Sequence, residues 1–120
     1  MKVDVTGRCV FIVGKPDSAA YADAERVLYE EGARYVLNPI ERFKGARDYR
    51  DYSRKALHIL TSDAFSFDCL VMLDGWNVDT FSHLAVNVAT QCGMQIFHLF
   101  DVGPKAAARF MTLGGEHGRD

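Results

Sequence analysis

Asp74, Trp76, Asn77 and Asp79 share one short polar stretch, Asp74-Gly-Trp-Asn-Val-Asp79. An indole beside two carboxylates suits a flat ligand that donates hydrogen bonds, such as a base or a sugar. The ring stacks while the acids accept from hydroxyls or ring N–H groups. A competing reading has Trp76 packed down as a lid on the core and Asp79 capping a helix. A second polar stretch is Gly14-Lys-Pro-Asp-Ser18. Backbone amides at the start of a following helix can hold an anion there. The stretch matches neither the dinucleotide G-x-G-x-x-G pattern nor the phosphate-loop G-x-x-x-x-G-K-[ST] pattern. A plain tight turn with a solvated Lys15 explains it equally well. Asp79, His83 and Asn87 recur every four residues. At ~100° per residue they share a face nearly opposite a Phe81/Leu84/Val88 stripe, which reads as a solvated face or a subunit contact. His58, His98 and His117 have no partners at metal-ligand spacing, so no metal site is expected. His98 falls in a strand and reads as a satisfied core histidine.

These residues need elements to position them. Cys9-Val-Phe-Ile-Val13 and Cys69-Leu-Val-Met-Leu73 are continuous apolar runs, the mark of strands covered on both faces. Between them, Ser18 is a suitable N-cap for a helix that Gly32 ends, with Ala20, Ala24, Val27 and Leu28 at helical spacing. Arg34-Tyr-Val-Leu37 is a short second strand closed by Asn38-Pro39, and 40–47 reads as a charged loop. Asp48 can cap a helix with an apolar stripe at Tyr49, Tyr52, Ala56, Ile59 and Leu60. Asp79 or Thr80 caps the next helix. Its stripe at Phe81, Leu84, Ala85, Val88, Ala89 and Cys92 is the cleanest amphipathic signal in the chain. Met94 to Phe100 is a fourth strand. Gly103-Pro104 opens a last helix with apolar Ala107, Phe110 and Met111, and 114–120 is a frayed tail.

Strands alternating with helices predict an α/β fold: a three-layer, doubly wound parallel sheet with about four helices. Right-handed crossovers favour the flavodoxin-like order 2-1-3-4. Its switch point lies between the first and third strands, which sets the Gly14 loop beside the 74–79 loop. Ligands of such sheets bind beyond the carboxyl ends of the strands.

The totals narrow the class. The 120 residues suit one domain, here 1–113. Hydrophobic residues make up 48% and charged residues 25%, as in ordinary globular chains. With 14 basic and 16 acidic residues the net charge is -2, which gives no electrostatic reason to expect nucleic acid or an anionic membrane as partner. Cys9, Cys69 and Cys92 have no C-x-x-C spacing and read as buried thiols of a cytoplasmic protein. No apolar run reaches the ~18 residues of a membrane span.

The span from Cys9 to Leu99 resembles the nucleoside 2-deoxyribosyltransferase-like family, in particular its small branch of bacterial and phage proteins. That branch opens with a strand and Y-I-S-G-P-M-T-G and later carries D-x-x-x-x-L-P-G-W-x-x-S-x-G-A-x-x-E. The matching pieces here are Phe11-Ile-Val-Gly14, Glu31-Gly32, Val36-Leu-Asn-Pro39 and, most specific, Asp68-Cys-Leu-Val-Met-Leu-Asp-Gly-Trp76. The resemblance implies the same doubly wound fold. It also implies a chemistry in which a Glu on the third helix attacks the anomeric carbon of a 2-deoxynucleoside. Carried over, the substrate-holding acid falls on Asp79, but the nucleophile position falls on Ala85. A methyl group cannot attack carbon. Phe81-Ser82 replaces the small Gly-Ala pair and would crowd the pocket, and Lys15-Pro16-Asp17-Ser18 replaces P-M-T-G.

The expectation is therefore a binding protein for a nucleoside or nucleotide, with the transfer chemistry weakened or absent and no cofactor. Gly14, Lys15, Asp17, Asn38, Gly75, Trp76 and Asn77 are the expected ligand contacts, with Asp74 and Asp79 as candidate acids. Two alternatives stand beside it. One is a transferase or N-glycosidase using a displaced carboxylate, Asp17, Asp74 or Asp79. The other is an interaction module with a closed pocket. A homo-oligomer is expected.

Overall fold

The carboxyl ends of four parallel strands form the edge on which the loops above gather. In a computed structural model the described residues are 2–103. The strands are β1 (Cys9–Val13), β2 (Tyr35–Leu37), β3 (Cys69–Met72) and β4 (Gln95–His98), in the order β2-β1-β3-β4. All pairings are parallel, with Phe11 opposite both Leu37 and Leu70, and Met72 opposite His98. The fold is flavodoxin-like, with its switch point between β1 and β3.

Helix α1 (Ser18–Glu30) covers one face of the sheet, where Tyr21, Ala24, Val27 and Leu28 pack on Val10, Ile12, Val71 and Phe97. Helices α3 (Tyr49–Leu60) and α4 (Thr80–Gln91) cover the other, where Ala56, Leu60, Phe81, Ala85 and Ala89 meet Phe11, Val13 and Leu70. Successive strand residues point to opposite faces, so β1 supplies Val10 and Ile12 to one core and Phe11 and Val13 to the other. The central strands are apolar at every position for that reason.

Several local expectations are corrected. Asp17, not Ser18, is the N-cap of α1, its carboxylate accepting from the Ala20 amide; Asp17 has the extended backbone of a cap, whereas Ser18 is already in the helix. The charged 40–47 stretch begins as a short helix, α2 (Pro39–Arg42). Asn38 caps it and Pro39 takes the first turn, where its missing N–H costs nothing. Strand β4 stops at His98 and passes into a 3-10 turn, Leu99–Asp101. Cys92 is not buried: it is the exposed C-cap of α4, one residue past the packed face. Cys69 is buried, and desolvation pushes its thiol up to about 11. Ala20 and Leu84 are exposed, Leu84 to 45%. Helix α4 is rolled so that Ser82 faces inward instead. The expected helix from Pro104 and the 114–120 tail lie outside the described residues. Among the described residues no helix is long and apolar enough to cross a membrane.

Candidate functional site

Strand β1 delivers Gly14, and strand β3 delivers Asp74 and Gly75, to adjacent loops over the switch point. The two loops touch. Gly75 has φ +84, a conformation that favours glycine, and a Cβ there would lie 2.8 Å from the Lys15 side chain. A Cβ on Gly14 would lie 2.8 Å from Leu73. Glycine at both positions lets the backbones close to contact distance.

Above them lies a cavity of about 620 Å³, within the range of small-molecule sites. Its floor is Leu73 and Leu99, one wall is Lys15 to Asp17 with the first turns of α1, and the other is Asp74, Gly75, His98 and Phe100. Three carboxylates, of Asp17, Asp23 and Asp74, line it together with Lys15. The Asp17 carboxylate caps α1, and Asp23 is ion-paired with Arg26. The aromatic member is Phe100, half exposed and stacked on His98 with centroids 4.9 Å apart.

His98 is satisfied at both ring nitrogens. Nδ1 accepts from the Phe100 amide at 3.2 Å, and Nε2 lies 3.1 Å from Asp74 Oδ1. An amide can only donate, so the neutral ring carries its hydrogen on Nε2 and donates it to Asp74.

The expected site residues divide into two groups. Lys15, Asp17, Asp74 and Gly75 meet at the cavity, with Gly14 buried directly behind them. Trp76, Asn77, Asp79 and Asn38 do not line it. After Gly75 the chain makes a 3-10 turn, Trp76–Val78, that carries it to α4 on the opposite face of the sheet from α1. Trp76 follows that turn and stacks on His83, centroids 5.9 Å apart, while packing against the α3/α4 core. Asn77 is exposed. Asn38 is buried, accepting from the Glu41 amide and donating to Glu25.

Asp79 is the N-cap of α4. It accepts from the Ser82 amide (2.9 Å), lies 2.7 Å from the Ser82 hydroxyl, whose one hydrogen it shares with the Gly14 carbonyl, and accepts from Tyr49 at 3.4 Å. The carboxylate is occupied by its own helix and its neighbours. Ser82 Oγ also reaches the Gly14 carbonyl at 2.8 Å, and the Tyr21 hydroxyl donates to the same carbonyl at 2.9 Å. Burial raises the ionisation of the Tyr21 and Tyr52 phenols far above the ordinary range, so they act here as neutral hydroxyls. This packed knot fills the crevice between β1 and α4, and Ala85 lies behind it, fully buried.

Sequence reasoning missed Asp23, His98, Leu99 and Phe100. The signal for His98 to Phe100 was present: in a 2-1-3-4 sheet the end of β4 must lie beside the end of β3. Among the described residues no group of three or more His, Cys, Asp or Glu side chains is placed to hold a metal ion.

Compared with known proteins, the chain matches no family model, no curated protein and no solved structure.

Proposed function

We propose that this chain binds a nucleoside-type ligand in the cavity over the ends of β1, β3 and β4, and that it lacks covalent sugar transfer. The observation that carries the reading is the cavity itself. It joins the Lys15–Asp17 loop to the Asp74 loop at a strand-end switch point, and presents acceptor carboxylates beside an exposed aromatic ring. A flat heterocycle finds an apolar wall at Phe100, Leu73 and Leu99, and its sugar finds carboxylate acceptors. The resemblance of Asp68 to Trp76 to the deoxyribosyltransferase-like run supports the same ligand class. Transfer by the route of that family has no support, since its nucleophile position is the buried methyl of Ala85 and Asp79 is engaged as a cap.

One observation favours a second reading, hydrolysis of an N-glycoside by a displaced acid: Asp17 and Asp74 line the same cavity. Release of free base from a nucleoside, lost in Asp17→Asn or Asp74→Asn, would establish it. Release that persists in both variants would remove it. The open cavity weighs against a closed interaction module.

The test of the binding reading is a thermal-shift series with ribonucleosides, deoxynucleosides and their monophosphates. A ligand at ~100 times its Kd adds about 2.7 kcal/mol, or on the order of 10 °C for a domain of this size. A shift with at least one nucleoside is expected. No shift with any of them would overturn the proposal.

A further inference from the structure

Asp74 combines exposure with a fixed direction. Its side chain is 88% exposed, and a carboxylate so placed ordinarily samples several rotamers, which a ligand must order at an entropic cost. Here the Nε2–H of His98 on the neighbouring strand holds Oδ1 at 3.1 Å. The imidazole is itself fixed three ways: by the Phe100 amide on Nδ1, by stacking on the Phe100 ring at an interplanar angle of 6°, and by the Met72–His98 register of β3 and β4. The chain of donors runs from the Phe100 N–H through the imidazole to Asp74. The second carboxylate oxygen makes no hydrogen bond among the described residues, and Asp74 lines the cavity.

We infer that Asp74 is the cavity's anchor for a vicinal diol, as on a ribose ring, and that His98 is the positioning residue that aims it. This rests on the nucleoside reading above and adds to it the part of the ligand that is selected. An ionised carboxylate only accepts, so its partner must donate. A ribose 2′-hydroxyl donates to a single acid in the same way in dinucleotide-binding sheets, and the neighbouring hydroxyl of the diol offers a second donor. A phosphate at this position would face Asp17 and Asp23 as well as Asp74, against Lys15 alone among lysine and arginine in the lining. The wall therefore favours the hydroxyls of a ribonucleoside over the ester of a nucleotide. A 2-deoxy sugar leaves one donor missing and the fixed oxygen partly unmatched.

Isothermal titration of the full chain with adenosine, 2-deoxyadenosine and adenosine monophosphate tests this. Adenosine should bind at least about tenfold tighter than 2-deoxyadenosine, the fold-change expected for one charge-assisted hydrogen bond. It should also bind tighter than the monophosphate. Asp74→Asn should erase the ribose preference. His98→Phe should reduce it, and His98→Gln, whose amide N–H can still donate to Asp74, should restore most of it. Thermal unfolding of each variant reports that the fold is retained. Equal binding of the ribose and deoxyribose forms, or a preference that survives Asp74→Asn, overturns the diol assignment and leaves nucleoside binding standing. A preference unchanged in His98→Phe overturns the role of His98. Absence of binding by every nucleoside overturns both readings.

Discussion

Ser82 Oγ on α4, whose one hydrogen is shared with Asp79 Oδ2, lies 2.8 Å from the backbone carbonyl oxygen of Gly14 at the end of β1, 68 positions away in the chain. Tyr21 on α1 donates to the same oxygen. The two hydroxyls come from helices on opposite faces of the sheet, so one carbonyl ties all three layers together at the switch point. Either donor alone satisfies it. Ser82→Ala and Tyr21→Phe should each cost about 1 kcal/mol. The double variant leaves the carbonyl orphaned and should exceed the sum by about 1 kcal/mol. Urea unfolding of the four proteins checks this, and strict additivity would show that the carbonyl finds another partner.

Asp79 provides a second measurable separation. It caps α4 through the Ser82 amide and is not among the residues that line the cavity. Asp79→Ala should cost about 1 kcal/mol, within the range of lost N-caps, and Asp79→Ser should recover most of it. Neither change should alter ligand affinity. A large loss of affinity with unchanged stability would return Asp79 to the binding site.

The strands were legible because burial on both faces leaves no room for polar residues in Cys9–Val13 or Cys69–Met72. The order 2-1-3-4 is one of the few topologies that right-handed crossovers leave to those strands. The site was legible only in part, for reasons of long-range contact. Periodicity assigns a serine to the outside and a leucine to the inside. At Ser82 and Leu84 the Gly14 carbonyl reverses that assignment, and nothing local to α4 announces such a partner. Trp76 and Asp79 had the right chemistry for a ligand, but Gly75 in a left-handed conformation and the 3-10 turn after it send them to the other face. His98 and Phe100 were hidden inside an apolar run that reads as unbroken strand.

The acid limb of stability should depend on Asp51. Its nearly buried carboxylate accepts from the Arg47 side chain and amide and from Lys55. These contacts, Arg47 foremost, hold its ionisation well below the ordinary carboxylate range. The folded protein therefore binds a proton less readily than the unfolded chain, whose carboxyl ionises near ~3.9. The stabilisation is complete above that value and is lost as pH falls through it toward the folded value. Urea midpoints should decline from about pH 5 downward, and in Asp51→Asn that decline should be shallower. An identical slope in the variant would mean that other carboxylates carry the acid limb.

The contact between Gly75 and Lys15 ties the stability of the two loops to the shape of the cavity. Gly75→Ala places a side chain on a backbone with φ +84 and drives a methyl into the Lys15 Cβ and Cδ, each 2.8 Å away. The left-handed backbone alone costs about 1–2 kcal/mol. The clash adds to it, because Lys15 Cβ is fixed to its backbone and cannot swing aside as the distal stem can. Relief requires the β1 and β3 loops to separate, which widens the cavity between Lys15 and Asp74. Lys15→Gly in the Gly75→Ala background removes the clash and leaves only the backbone cost. Stability should therefore fall in Gly75→Ala and recover partly in the double variant, with ligand affinity falling and recovering in parallel. If stability recovers while affinity does not, the separation of the loops is not what sets the cavity, and the Lys15 side chain itself contacts the ligand.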